Sequence, residues 1–311
     1  MVLCPHESIV LTVLFAAANG FLFCRRGNRG PMAAIRVSPR SLERTYRRQS
    51  KALVGLAAGL PERPSPQEVH DLRVSIRRIQ MMRGLMSRAV RDSRASKRFD
   101  LTLKSVLKST SQLRDLDTLV DTIQQHKASL PAELLVTLGN QRSDAAARAK
   151  AAAHMLTEAP PPDIDSDLMR KRKVSRRLRK RIRRESSAIV GLLAKVLGDE
   201  KGVEELHALR KRVKRLRYLL ELADDTPPEL AILTTWQEAL GSIHDLDVAI
   251  SYIQGRDLEL KGKAVRELQL ARHSNYLSFV RQYRTDSVEV LESSDILEGG
   301  PISSSFTVAE V

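Results

Sequence analysis

Cysteine and aromatic residues are scarce in this chain of 311 residues. The two cysteines, Cys4 and Cys24, both lie near the amino terminus, so the body of the protein has neither a disulfide framework nor a thiolate metal site. This composition predicts a protein of the reducing cytoplasm. Aromatic residues make up only 4% of the chain, which leaves few rings on which nucleic-acid bases could stack.

Sequence signatures of catalysis are also absent. The chain has no glycine-rich nucleotide loop, no HExxH motif and no pattern typical of a Ser-His-Asp hydrolase. The sequence therefore predicts a protein that is not an enzyme and that needs no cofactor or metal. Two less favoured alternatives are a metal-dependent phosphohydrolase that uses histidines and aspartates, and a histidine phosphocarrier.

Positive charge, in contrast, is in large excess. The net charge is +15, and residues 286–311 contain six acidic residues and no basic one, so residues 1–285 carry about +21. A field of this size attracts polyanions such as nucleic acid, an anionic membrane surface or a phosphate polymer. Residues 286–311 are expected to form a disordered acidic tail.

The first 31 residues differ from the rest of the chain. Residues 9–24 are apolar for about 16 positions, fewer than the roughly 20 that span a bilayer. No basic segment precedes them and no convincing cleavage site follows. We expect residues 1–31 to be an apolar extension that is disordered or lies outside a native protein starting at Met32. A membrane anchor is the alternative.

Apolar residues recur every three or four positions along the body, which predicts an all-α fold. Helices are predicted over residues 38–59, 65–90, 94–110, 112–127, 131–157, 166–197, 202–223, 228–241, 243–254 and 257–284. The proline-rich stretch APPPD at residues 159–163 divides the body, residues 32–285, into halves of about 37–158 and 166–285.

The two halves repeat each other in sequence. YRRQSKALVGL (46–56) aligns with IRRESSAIVGL (182–192) at an offset of 136, and VHDLRVSIRRIQMM (69–82) aligns with LHALRKRVKRLRYL (206–219) at 137. QLRDLDTLVDTI (112–123) aligns with SIHDLDVAISYI (242–253) at 130. Three consistent offsets indicate an internal repeat.

Basic side chains share faces of the repeated helices. At about 100° per residue, His207, Arg210, Lys214 and Arg217 occupy one stripe about 80° wide. Like charges four residues apart repel each other, and bound anions are the simplest compensation. An exposed, solvated face is the alternative. Gln80 stands where the second half has Arg217, so the two halves are not identical.

Two DLD motifs place carboxylates in this basic protein, at Asp115, Asp117, Asp245 and Asp247. We interpret them as helix caps or as partners that orient an arginine toward a ligand. A divalent metal site is less favoured, because one helix supplies too few ligands.

The repeated H-x-x-R-x-x-x-[KR]-R pattern, the LRDLD/IHDLD partner and the basic helix ahead of each resemble the CHAD family, the conserved histidine α-helical domain. The resemblance covers about Val37 to Arg284. It implies two pseudo-symmetric antiparallel helical bundles around a central basic channel that binds inorganic polyphosphate without catalysis. The residues that would line this channel are Arg40, Arg44, Arg47, Arg48, His70, Arg73, Arg77 and Arg78, and Arg176, Lys180, Arg183, Arg184, His207, Arg210, Lys214, Arg215 and Arg217.

The sequence thus predicts a cytoplasmic polyphosphate-binding protein that associates with polyphosphate granules and has no membrane partner. Nonspecific nucleic-acid binding is the main alternative, and weak binding of this kind is expected at low salt.

Overall fold

The computed structural model describes residues 35–126, 132–164, 171–225, 227, 229–255 and 261–292. Within these ranges the chain forms α-helices and no strand, which confirms the all-α prediction. The helices are α1 (Pro39–Ala58), α2 (Pro66–Arg83), the single turn α3 (Arg88–Arg91), α4 (Arg94–Gln125), α5 (Ala132–Glu158), α6 (Lys171–Val196), α7 (Val203–Leu220), α8 (Glu229–Gln254) and α9 (Lys261–Glu292).

Serine side chains begin several of these helices. The backbone N–H of Ser41 donates to Ser38 Oγ at 3.0 Å at the start of α1. At α2, Ser65 and Glu68 form a reciprocal capping box, with the Ser65 N–H donating to the Glu68 carboxylate at 2.7 Å. Each cap satisfies helix N–H groups that have no partner within the helix and contributes about 1 kcal/mol. The start of α2, which carries His70, is therefore well defined.

Three predicted boundaries before the last helix are wrong. Helices α4 and α8 each run through a predicted break, near residues 111 and 242. Ser111, at the predicted break in α4, donates its hydroxyl to the Leu107 carbonyl at 2.8 Å and stays in the helix. The predicted helix 65–90 instead ends at Arg83, where a tight turn buries Leu85 and Met86 before α3 begins.

Each half packs its helices in the same sequence of neighbours. In the first half α1 packs on α2, α2 on α4, and α4 on α5; in the second half α6 packs on α7, α7 on α8, and α8 on α9. The halves meet where α4 packs against α8 and α2 approaches α7. The four helices that carry the histidine and DLD motifs therefore lie together at the middle of the molecule.

Apolar side chains from both halves share the same cores. One buried cluster joins Phe99 of α4 to Trp236 of α8, and another joins Leu113 of α4 to Leu246 of α8. Burying a side chain of this kind contributes about 1.5–3 kcal/mol. The contact between the halves is consequently a packed interior, which fixes the relative positions of polar groups beside it.

The last helix extends beyond its predicted end. Helix α9 continues to Glu292, and Asp286 is buried, accepting hydrogen bonds from Trp236 Nε1 at 2.6 Å and Gln282 Nε2 at 2.7 Å. Residue 286, where the sequence predicted the acidic tail to begin, therefore lies within a helix. The rest of the predicted tail, residues 293–311, and the predicted extension 1–31 lie outside the described residues. No helix in the described part of the chain has the length and apolarity needed to cross a membrane.

Candidate anion-binding site

A polar cleft of about 280 Å³ opens where the two halves meet, and we call it the central cleft. All four motif-bearing helices contribute to it. Its lining consists of His70, Arg73, Val74 and Arg77 from α2, Arg114, Asp115 and Thr118 from α4, Arg210 and Lys214 from α7, and Gln237, Gly241, His244, Asp245 and Val248 from α8.

Arg73 is held firmly on the first-half wall. Its Nη1 donates to the Leu107 carbonyl at 2.9 Å, to Thr110 Oγ1 at 2.9 Å and to Ser111 Oγ at 3.2 Å. These acceptors lie on one turn of α4, next to α2. The Thr110 and Ser111 hydroxyls also donate to carbonyls of their own helix, which fixes the orientation of both acceptors. A guanidinium fixed in this way loses little conformational entropy when it binds an anion.

Arg77 and Lys214 present their charges differently. Within the described part of the chain neither side chain makes a hydrogen bond or an ion pair, although the Lys214 Nζ lies 6.0 Å from the centre of the Tyr218 ring. Both are half-buried in the cleft. Their hydrogen-bond donors are therefore free of protein acceptors and available to a ligand.

The cleft has a surplus of positive charge. Five permanent or near-permanent cations face two carboxylates among its lining residues, a formal excess of three charges with the histidines neutral. Burial, together with repulsion from Arg210, Arg77 and Arg73, lowers the pKa of Lys214 to about 8. Burial and the Arg77 charge lower the pKa of Arg73 to about 10. The folded protein thus holds these cations against an electrostatic cost that an anion would relieve.

Of the four predicted orienting carboxylates, the structure separates two from the cleft. Asp115 and Asp245 line it, and the Asp245 carboxylate lies 4.0 Å from the Arg210 guanidinium. Burial raises the pKa of Asp245, while the Arg210 charge opposes this change. These two carboxylates offset part of the positive charge that a ligand would meet.

Asp117 and Asp247 instead pair with arginines of the last helix in each half. Arg142 of α5 donates from Nε to Asp117 at 2.7 Å, and Arg272 of α9 donates from Nε to Asp247. Each carboxylate does orient an arginine, but that arginine is not one that lines the cleft. Arg142 and Arg272 are themselves separated by 130 residues, so extending the third alignment would have found this pair.

The two predicted histidines take different positions. His70 lines the central cleft, and burial followed by the charges of Arg114 and Lys214 lowers its pKa. His207 lies in a neighbouring open cleft of about 860 Å³ between α7 and α8. There its Nδ1 is 3.0 Å from the Nδ1 of His244, with ring centres 4.3 Å apart.

Arg78 and Arg217 share one carboxylate within the protein. Glu221 accepts from Arg217 Nη1 at 2.7 Å and from Arg78 Nε at 3.3 Å. Arg217 also donates to Gln237 Oε1 at 2.9 Å. Neither arginine lines the central cleft, so the stripe predicted on α7 is shorter than its sequence indicated.

The basic stripes of α1 and α6 point to solvent. None of the residues that line the central cleft in the described structure comes from these helices. The predicted residues Arg40, Arg44, Arg47, Arg48, Arg176, Lys180, Arg183 and Arg184 are all exposed, as is Arg215, which borders the second cleft. Arg47 forms an ion pair with Glu43 at 3.0 Å. These positions form a separate, solvated surface.

Two ionisable residues of the central cleft were not singled out from the sequence, Arg114 and His244. They precede the two DLD motifs and are related by the same offset of 130. Their position one residue before Asp115 and Asp245 could have identified them from the sequence, because two neighbouring residues at the edge of one helix face can both border a cleft.

The chain was compared with protein-family models, curated proteins and solved structures. A family model described as the CHAD domain matches residues 47–254. Among solved structures, the crystal structure of the CHAD domain from the plant Ricinus communis is similar, with 19% sequence identity, a TM-score of 0.49, and coverage of 85% of this chain and 93% of that one. No curated protein matches the sequence. Among the described residues no group of three or more His, Cys, Asp or Glu side chains is arranged to hold a metal ion.

Proposed function

This chain belongs to the CHAD domain family, and we propose that it binds inorganic polyphosphate in the central cleft without cleaving it. The proposal rests on the excess of cationic over anionic groups in the cleft. Two of the cations, Arg77 and Lys214, are half-buried and have no acceptor among the residues that the structure describes. Polyphosphate binding is the function that the family resemblance implies.

The chemistry of the cleft suits a chain of phosphate groups. Internal phosphates each carry a single negative charge and non-bridging oxygens that accept hydrogen bonds. Arginine donates to such oxygens in a forked geometry, and lysine supplies a point charge. In a half-buried cleft these contacts are screened less than on the surface. We therefore expect polyphosphate to remain bound at about 150 mM salt, where surface contacts are weakened.

The test is a titration of long-chain polyphosphate at about 150 mM salt, with duplex DNA as competitor. Wild type is compared with R77Q/K214Q, which removes two cleft charges and breaks no side-chain hydrogen bond of the described structure. The matched control is R44Q/R48Q on exposed α1, which lowers the net charge equally. The proposal expects at least tenfold weaker binding in the cleft variant and at most a twofold change in the control.

Two outcomes would contradict the proposal. Equal losses in the cleft and α1 variants would show a general polyanion surface, and complete displacement by DNA would show that phosphate polymers are not preferred. Release of orthophosphate from polyphosphate, with or without a divalent metal, would overturn the non-catalytic part. Circular dichroism of each variant confirms that it is folded before binding is compared.

A second candidate function, weak nucleic-acid binding, is favoured by the exposed face of α6. Arg172, Lys173, Arg176, Lys180, Arg183 and Arg184 are all exposed on α6, and no acidic residue lies between Lys171 and Arg184. Such a face attracts a nucleic-acid backbone without reading bases. R176Q/R183Q should then weaken DNA binding at low salt while leaving polyphosphate affinity at 150 mM unchanged.

A further inference from the structure

The internal repeat places unlike residues at one pair of equivalent positions in the central cleft. Arg114 in the first half corresponds to His244 in the second, and both line the cleft. Their neighbours Asp115 and Asp245 are the same residue type at the same offset. One wall of the cleft thus carries a permanent cation where the other carries a group that titrates.

The geometry around His244 favours its neutral form. The Nδ1 atoms of His207 and His244 are 3.0 Å apart. A hydrogen bond at this distance needs one nitrogen to donate and the other to accept, so one of the two rings is unprotonated at Nδ1. Two imidazolium rings would instead point N–H toward N–H. The pair can therefore hold fewer protons in this arrangement than two isolated histidines.

The charges that surround His244 come from every helix packed near it. On α7 they are Glu204, His207, Arg210, Lys211, Arg212, Lys214 and Arg215. The others are Arg114 and Asp115 on α4, His70, Arg73 and Arg77 on α2, Asp245 and Asp247 on α8 itself, and Arg272 of α9, which is bound to Asp247. Cations outnumber carboxylates in this set. Without a ligand the surroundings therefore oppose a proton on His244.

We propose that His244 couples polyanion binding in the central cleft to proton uptake, whereas its counterpart Arg114 contributes a charge that does not vary with pH. This inference rests on the proposed function. A bound phosphate chain brings negative charge into the cleft and compensates the cations around His244. Its ring then gains a proton and separates from His207 or donates to the ligand.

The direction of the effect follows from linkage. In the free protein, burial, followed by the charges of Arg210, His207 and Lys211, lowers the pKa of His244 to about 4. A bound polyanion raises that pKa. At a pH between the His244 pKa of the free protein and that of the complex, the complex holds more protons than the free protein. Affinity for the polyanion therefore rises as pH falls, by up to about tenfold per pH unit for each proton taken up.

The decisive variant is H244R, which copies the first half and fixes the charge. Affinity for polyphosphate is measured from pH 5.5 to 7.5 with a long chain, so that the chain ends, which titrate near neutral pH, contribute little. Calorimetry in two buffers of different ionisation enthalpy measures the protons taken up. Wild type should bind about tenfold more tightly at pH 5.5 than at pH 7.5. H244R should show less than half of this change and bind more tightly than wild type at pH 7.5.

The reciprocal variant R114H makes the first half resemble the second. It should bind more weakly than wild type at pH 7.5 and show a steeper dependence on pH. H244Q, which is neutral and close in size, should likewise show less than half of the wild-type change and bind more weakly than wild type at pH 5.5. It keeps the test valid if the arginine of H244R disturbs folding, which circular dichroism detects.

The inference and the proposed function fail in different ways. If H244R and H244Q keep the wild-type pH dependence and proton uptake, the inference is wrong while polyphosphate binding stands. If wild type binds no polyphosphate at any pH, the proposed function fails and the inference fails with it.

Discussion

Arg217 donates a hydrogen bond to Glu221 one turn further along the chain at 2.7 Å, and the other oxygen of that carboxylate accepts from Arg78 at 3.3 Å. Two arginines from different halves of the molecule thus share one carboxylate beside the central cleft. Their positive charges are partly compensated before any ligand arrives, in contrast to those of Arg77 and Lys214.

Replacing Glu221 with glutamine should release these two arginines. We expect polyphosphate to bind about threefold more tightly, because a negative charge near the cleft is removed, while the free energy of unfolding falls by about 1 kcal/mol. Glu238→Gln, at an exposed position on α8, is the control with the same change in net charge. Equal gains in affinity from both variants would show that only net charge matters.

Lys214 should cost stability in the absence of ligand. Its pKa of about 8 in the folded protein lies below the ordinary value, so folding disfavours its charged form. This penalty is full below pH 8 and disappears as pH rises above the unfolded pKa near 10.4. Lys214→Met should therefore stabilise the free protein by about 1–2 kcal/mol at pH 7, a value reduced for partial exposure, and by less at pH 10.

Chemical denaturation at pH 7 and pH 10 measures this difference, with exposed Lys104→Met as the control. Polyphosphate should raise the melting temperature of wild type much more than that of Lys214→Met. A variant that is less stable than wild type at pH 7 would show that the lysine stabilises the cleft.

The DLD carboxylates should separate into two functional classes. Asp245→Asn should tighten polyphosphate binding, because Asp245 lies 4.0 Å from Arg210 and competes with the ligand for its charge. If Asp245 instead orients Arg210 for the ligand, as the sequence suggested, the same variant will bind more weakly. A titration at about 150 mM salt distinguishes the two roles.

Asp247→Asn should act on folding. It removes one of the two carboxylates that pair with the buried side chain of Arg272, the other being Glu200 at 3.4 Å, and we expect a loss of about 2 kcal/mol in unfolding free energy. Asp117→Asn should also lower the free energy of unfolding, because it removes the carboxylate that pairs with Arg142. Thermal unfolding measures both losses, and polyphosphate affinity of the folded variants should change by less than about twofold because neither pair lines the central cleft.

The carboxyl-terminal turns of α9 should also contribute to stability. Asp286→Ala removes the acceptor of the buried Trp236 N–H, which then has no partner, and should cost about 2 kcal/mol. Asp144→Ala, at an exposed position on α5, provides the control. An unchanged melting temperature for Asp286→Ala would show that the hydrogen bond from Trp236 contributes nothing to stability.

Several features of this protein could be predicted from the order of its residues. The spacing of apolar side chains predicted an all-α chain, because helix geometry relates positions three and four residues apart wherever the helix lies. The repeated motifs also identified Arg73, Arg77, Arg210 and Lys214 as candidate binding residues, and all four line one cleft. Whether these residues bind polyphosphate, and whether the two halves form a true structural repeat around a channel, stay predictions.

Only the tertiary structure decided which basic faces meet and which remain in solvent. The stripe on α1 and that on α2 look alike in sequence, yet Arg44 is exposed while Arg77 lies in the cleft. A polar face suits water and a polar cleft equally well, so helix periodicity does not distinguish them. Packing between the halves determines which faces are buried, and it also brings Glu221 to Arg78, 143 residues away. Packing within the second half brings His244 to His207. The sequence by itself determined the helices and supplied the cations, while long-range packing determined which of those cations remain without a partner.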